Sequence, residues 1–114
     1  MTTTETGRKA EQAACTYLEM RGYKIIEQNW RRPQCKIDII AEKGDVAYFV
    51  EVKYRHTDFA GSGFEYITAS KLKQMKFAAL SWASEYKWHD DIRLSAVEIM
   101  GPQFIVMGYI DDVF

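Results

Sequence analysis

The stretch Cys35–Arg55, CKIDIIAEKGDVAYFVEVKYR, alternates apolar and charged residues around a single Gly-Asp pair. Gly44-Asp45 suits a two-residue hairpin loop, because glycine supplies the positive φ that a type II′ turn needs. The stretch therefore predicts a hairpin with strands over about 36–42 and 46–54. In this register Lys43 pairs with Val46.

The predicted register sorts the hairpin side chains onto two faces. One face is wholly β-branched and suits a core, since it carries Ile37, Ile39, Val50 and Val52. The other face is charged: Asp38 falls directly opposite Glu51, and Lys36 falls opposite Lys53. A slip of one residue would place Asp38 among the core residues, so the pattern favours one register.

The pairing of Asp38 with Glu51 indicates a functional site. Directly opposed Cβ atoms lie about 4.5–5.5 Å apart, and two bare carboxylates that close repel each other unless they share a proton or a cation. Hard oxygen ligands suit Mg²⁺ or Mn²⁺, which keep some waters and accept substrate phosphate. Lys53 can orient or deprotonate a water, or neutralise charge on a phosphate. The spacing thus assembles the parts of metal-assisted phosphodiester hydrolysis. The alternative is a solvated sheet face with cross-strand ion pairs.

The remaining sequence predicts two helices and three further strands. The helices fall over about 5–21, ended by Gly22, and about 71–87, begun by Thr68 or Ser70. The strands fall over about 23–27, 92–100 and 103–110, with a turn at 29–34 and a loop at 55–66. The predicted order is α-β-β-β-α-β-β, a mixed α/β layered fold in a single domain, 1–114.

Composition sets limits on the function. The net charge is −1 and the pI is about 6.1, which counts against a strong non-specific nucleic-acid binder. The charge is uneven, because residues 23–76 carry ten Lys and Arg against seven Asp and Glu, and the rest carry five against nine. The sequence shows neither a signal peptide nor a membrane span, so we expect a soluble, cytoplasmic protein without membrane contact.

Several basic residues are candidates for phosphate binding. Lys71, Lys73 and Lys76 fall in the first turns of the second helix, where cations oppose the helix dipole. Helix stability therefore does not explain these lysines. Two explanations remain: the lysines contact phosphate, or they form a solubilising face. Arginines flanking the hairpin are better candidates, because guanidinium pairs bidentately with phosphate: Arg31, Arg32 and Arg55.

The order of an Asp, a hairpin and then Glu-x-Lys resembles the motif of the PD-(D/E)xK nuclease superfamily. More closely, nearly the whole chain resembles the YraN-like family of bacterial proteins, which is similar to archaeal Holliday-junction resolvases. The matching motifs are Gly7–Ala14 (GRKAEQAA), Asn29-Trp30-Arg31, Ile37–Ile40 (IDII) and Phe49–Arg55 (FVEVKYR).

This resemblance implies a restriction-endonuclease-like sheet flanked by helices, and a metal-dependent endonuclease acting on branched or structured DNA. Asp38 and Glu51 would be ligands of Mg²⁺ or Mn²⁺, and Lys53 the catalytic lysine. Glu11 would be an acidic helper at the metal, reaching in from the first helix. The resolvase relatives also imply a homodimer.

Two positions depart from the family pattern. Lys36 stands where the family has glutamate, and Ser95 stands where it favours an acid. Lys36 adds a cation beside the proposed metal, so it weakens cation binding or binds phosphate directly. A second hypothesis is therefore a nuclease fold that binds nucleic acid without cutting it. A third, favoured by the acidic pI, is a protein-interaction domain.

Overall fold

A computed structural model of the chain describes residues 2–56 and 64–113. Its elements are α1 (Thr3–Met20), β1 (Lys24–Arg32), β2 (Cys35–Lys43), β3 (Val46–Arg55), α2 (Ala69–Glu85), β4 (Asp91–Met100) and β5 (Ile105–Ile110). The five strands form one open sheet in the order β1-β2-β3-β4-β5. Only β3 and β4 pair in parallel, and α2 lies in the connection between them. The predicted mixed α/β order is confirmed.

The β2–β3 hairpin turns at Gly44, whose φ of 63° is the positive value that the predicted loop requires. Backbone pairing runs from Lys43 with Val46 to Ile39 with Val50. The predicted register is therefore confirmed over this part of the hairpin.

The pairing stops one position before the carboxylates. Neither Asp38 with Glu51 nor Lys36 with Lys53 is a backbone pair of the described hairpin, so the prediction of two directly opposed pairs is wrong. The physical reason is that the Asp38 side chain intervenes: its Oδ2 accepts the Val52 amide hydrogen at 2.9 Å.

One face of the sheet is covered by α1. Ile39 and Val50 are fully buried there against Ala14 and Leu18 of the helix. The helix ends through Gly22, whose φ is 92°, and the predicted cap is confirmed. This packing fixes the hairpin against α1.

The opposite face is covered by α2. Ile40 and Phe49 are buried against Trp82 of the helix, so the alternative of a solvated outer face does not hold at these positions. Ile37 packs into this second cluster as well, and not with Ile39 as predicted. Both faces of the sheet are thus covered by a helix.

The first strand is longer than predicted, and the predicted turn at 29–34 is wrong. β1 continues through Trp30, which is buried and pairs with Ile37, so the turn shrinks to Pro33 and Gln34. Asn29 lies inside the strand with a φ of 53°, a left-handed conformation that asparagine tolerates better than most residues.

The other boundaries shift by a few residues. Thr68 caps α2, since its side chain accepts the Lys71 amide hydrogen at 3.1 Å. The helix thus covers Ala69–Glu85 instead of 71–87, and β5 begins at Ile105. Most of the predicted 55–66 loop, 57–63, lies outside the described residues. Over the described ranges, neither helix has the length and apolar character to cross a bilayer.

Candidate functional site

Asp38 is a buried carboxylate with both oxygens engaged. Its side chain is 8% exposed. Oδ2 accepts the Val52 amide hydrogen, and Oδ1 accepts a hydrogen bond from Lys36 Nζ at 2.9 Å. Burial opposes the charged form of Lys36, but the hydrogen bond to Asp38 and the negative charges of Asp38 and Glu51 raise its pKa. Lys36 is therefore an ammonium ion held against the carboxylate.

Glu51 is the second carboxylate, on β3. Its Oε2 lies 2.8 Å from Lys71 Nζ, so its ion-pair partner is a lysine of α2. Burial and then the negative charge of Asp38 raise the pKa of Glu51, against the opposing effect of Lys71. Asp38 is thus close enough to raise the pKa of Glu51, and each of the two carboxylates is bonded to a lysine.

Glu11 approaches from α1. Its Oε1 accepts a hydrogen bond from Asn29 Nδ2 at 2.8 Å. Burial raises the pKa of Glu11, the hydrogen bond from Asn29 opposes this, and the charge of Asp38 adds to it. Within residues 2–56 and 64–113, no three His, Cys, Asp or Glu side chains are grouped closely enough to hold a metal ion.

Lys53 is exposed, two positions beyond Glu51 on β3. Its Nζ lies 5.6 Å from the ring centre of Tyr66. The Tyr66 hydroxyl is buried, and among the described residues it has no hydrogen-bond partner. Burial, followed by the charges of Glu51, Glu98 and Asp38, raises the pKa of Tyr66, so the phenol is neutral. Sequence reasoning missed Tyr66, because nothing in its local pattern links it to the hairpin.

Arg55 and Lys76 do not lie with the other predicted phosphate-binding residues. Arg55 Nε lies 2.9 Å from Oε2 of the buried Glu98, an ion-pair distance whose orientation falls short of a hydrogen bond. Glu98 is the β4 neighbour of Lys53, and sequence reasoning missed it too. Lys76 is exposed on α2. Neither Arg55 nor Lys76 lines the cavity described next.

A cavity of about 770 Å³ opens between the β1–β2 turn and α2; we call it the basic cleft. Its described lining contains five of the predicted cations: Arg31, Arg32, Lys36, Lys71 and Lys73. Glu51 is the one carboxylate among these described lining residues. The structure therefore brings Glu51 and most of the predicted basic residues to one place, and Asp38 is bonded to Lys36 of the same lining.

Arg32 is held at the side of the basic cleft. Its guanidinium pairs with the Glu85 carboxylate of α2 through two nitrogens. It also lies over the Trp30 ring, 4.5 Å from the ring centre. Arg32 thus ties the end of β1 to the end of α2 and shapes the cleft wall.

Fold and site together define a mixed α/β domain with a lysine-bonded carboxylate pair beside a basic cleft. The chain belongs to the family described as Uncharacterised protein family UPF0102, whose model matches residues 10–99. It is 37% identical over 100 residues to a UPF0102 protein of Renibacterium salmoninarum, covering 87% of this chain and 85% of the relative. It is 38% identical to one of Cytophaga hutchinsonii, covering 88% of each chain. It is 40% identical to one of Sulfurihydrogenibium sp., covering 90% of each chain.

Proposed function

We propose that this protein is a metal-dependent endonuclease that cleaves branched or structured DNA. The observation that carries the proposal is Glu51, which forms a carboxylate pair with the buried Asp38 and also lines the basic cleft. A phosphodiester bound by the cleft cations would lie beside that pair. The resemblance of the hairpin to the PD-(D/E)xK nucleases, Asp38 followed by Glu51-x-Lys53, supports the same reading.

The donor set fits a hard divalent cation. Mg²⁺ binds through one or two carboxylates and completes its shell with waters and substrate phosphates, so Asp38 and Glu51 suffice without a third protein ligand. Bound there, such a cation would activate a water and stabilise charge on the phosphate. In this structure Lys36 and Lys71 bind the same carboxylates, so their ammonium groups compete with a metal for those oxygens.

The surrounding side chains have separate roles in this proposal. Lys36 and Lys71 line the basic cleft, so once released from the carboxylates they would meet substrate phosphate. Arg31 and Lys73 line the same cleft and add positive charge along the path of the backbone. Lys53, exposed beyond Glu51, would neutralise charge that builds up during cleavage.

The test is cleavage of labelled four-way junctions, forks, single strands and duplexes by the purified protein with Mn²⁺. We expect cleavage by the wild type, and loss of it in Asp38→Asn and Glu51→Gln. Asp45→Asn is the matched control, because Asp45 is an exposed carboxylate at the turn of the same hairpin. Absent cleavage, or equal cleavage by Asp38→Asn and wild type, would overturn the proposal.

A second candidate is a nuclease fold that binds nucleic acid without cutting it. The two lysine–carboxylate bonds favour it, because the ammonium groups already neutralise the acidic pair without a metal. A Mn²⁺ titration separates the candidates. Salt-sensitive DNA binding with no Mn²⁺ bound at millimolar concentration supports the binding module, whereas Mn²⁺ binding that requires Asp38 supports the endonuclease.

A further inference from the structure

Phe77 is an exposed aromatic residue inside the basic cleft. It lies on α2 and is 53% exposed, yet it lines the cavity together with the cations. The helix packs on the sheet through other residues, namely Met75, Ala78, Ala79 and Trp82. Core packing therefore does not account for Phe77, and its ring is available to a ligand in the cleft.

The neighbours of Phe77 indicate the chemistry of that ligand. Lys73 precedes it by four residues on α2, so the two side chains lie on one helix face, and both line the cleft. Across the cavity the wall is formed by Arg31 and Lys36. Cations that follow a phosphate backbone, combined with an aromatic ring for a base, are the means by which proteins bind single-stranded nucleic acid.

The size of the cleft and the position of the ring favour an unpaired base. A cavity of about 770 Å³ lies within the range of pockets that enclose a small organic ligand. Bases of an intact duplex are stacked inside the helix and offer no face to a protein ring unless they are flipped out. Only an unpaired nucleotide can present its base to Phe77 and its phosphates to the cleft cations.

We propose that the basic cleft binds an unpaired nucleotide, with Phe77 stacking on its base and Lys73 and Arg31 holding its phosphates. This inference rests on the proposed function for nucleic acid being the ligand, and it deepens it by naming the substrate class. DNA with a single-stranded segment is the substrate, and fully paired duplex is disfavoured.

Binding without metal tests the inference apart from cleavage. Fluorescence anisotropy in EDTA would compare a short labelled single strand with a blunt hairpin duplex of the same composition. We expect Phe77→Ala to weaken single-strand binding by about 5- to 150-fold, the span for one lost base–aromatic stack, and to leave duplex binding within about twofold. Phe77→Trp should retain single-strand affinity, because its ring also stacks.

Leu80→Ala is the matched control, because Leu80 is 50% exposed on the same helix, one turn from Phe77 and outside the cleft lining. It should bind like the wild type. Lys73→Ala should weaken binding to both DNAs, since phosphate contacts are independent of pairing.

Unchanged single-strand binding in Phe77→Ala, or an equal loss on both DNAs, would overturn the inference while leaving the proposed function standing. A wild type that binds neither DNA at low salt would overturn both. Thermal unfolding of each variant shows whether the fold is intact.

Discussion

Replacing Lys36 by glutamine should tighten divalent metal binding at the carboxylate pair. In the wild type, the Lys36 ammonium bonds Asp38 Oδ1 at 2.9 Å, where it competes with any cation for that oxygen. Glutamine is one atom shorter than lysine but remains polar, and it removes the charge. An entering metal then meets no positive charge at position 36.

The expected gain follows from the exposure of the lysine. The Lys36 side chain is 49% exposed, so a dielectric near that of water applies. Two unit charges about 4 Å apart interact by about 1 kcal/mol in water, so a divalent ion and an ammonium interact by about 2 kcal/mol. Removing that repulsion corresponds to Mn²⁺ binding about 30-fold tighter at low salt, with a smaller gain as salt increases.

Isothermal titration calorimetry with Mn²⁺ measures this change. Lys36→Arg retains the charge and should bind like the wild type. Lys43→Gln is the matched control, because Lys43 is at the opposite end of β2, over the ring of Tyr23. Equal Mn²⁺ affinity in wild type and Lys36→Gln, or an equal gain in Lys43→Gln, would refute the reasoning.

Three further results are expected. Asp38→Ala should lower the free energy of unfolding in urea by about 1–3 kcal/mol, because the partly buried Val52 amide loses its acceptor. Asp38→Asn keeps an acceptor oxygen and should lower it less. Mn²⁺ affinity should fall as the pH drops through the raised pKa of Glu51, at a pH where an ordinary glutamate is still ionised. Lys71→Gln removes a hydrogen bond that lowers this pKa. Calorimetry across the pH range should therefore place the midpoint of the loss of Mn²⁺ affinity at a higher pH in this variant. Tyr66→Phe should raise the free energy of unfolding by about 1 kcal/mol, because it removes a buried hydroxyl to which no described residue bonds.

Each of these results has its own control. Tyr109→Phe is matched to Tyr66→Phe, and it should destabilise the fold, because the Tyr109 hydroxyl donates to the Tyr23 hydroxyl at 2.8 Å. If both tyrosine variants destabilise equally, Tyr66 has a partner in solution. An unchanged midpoint in Lys71→Gln would contradict the effect of that lysine on Glu51. Equal stability of Asp38→Ala and wild type would contradict the bond to Val52.

The part of the hairpin near its turn could be predicted from the sequence, because the turn and the alternation fix the same register. Gly44 supplies the positive φ, and Ile39 and Val50 need burial on one face. Near Asp38 the prediction failed, because a side-chain oxygen took the place of a backbone acceptor and ended the ladder. Local sequence patterns do not indicate where a side-chain oxygen will replace a backbone acceptor.

The site was predictable to the extent that it depends on neighbours along one strand. Lys36 and Asp38 are two residues apart on β2, so their proximity follows from strand geometry. The bond of Lys71 to Glu51 joins α2 to β3 and depends on how the helix crosses the sheet. Tyr66 likewise reaches the site through tertiary packing. The turn around Pro33 was predicted to begin too early, at Asn29, whereas burial of Trp30 extends the strand.

Anomalous diffraction from crystals soaked in Mn²⁺ tests the central claim most directly, which is that Asp38 and Glu51 together hold a metal. We predict an anomalous peak about 2.0–2.3 Å from a carboxylate oxygen of each residue, distances typical of small divalent cations. Lys36 and Lys71 should be displaced from those oxygens. Saturating Mn²⁺ that leaves no peak there, with both lysines still bonded to the carboxylates, would contradict the claim.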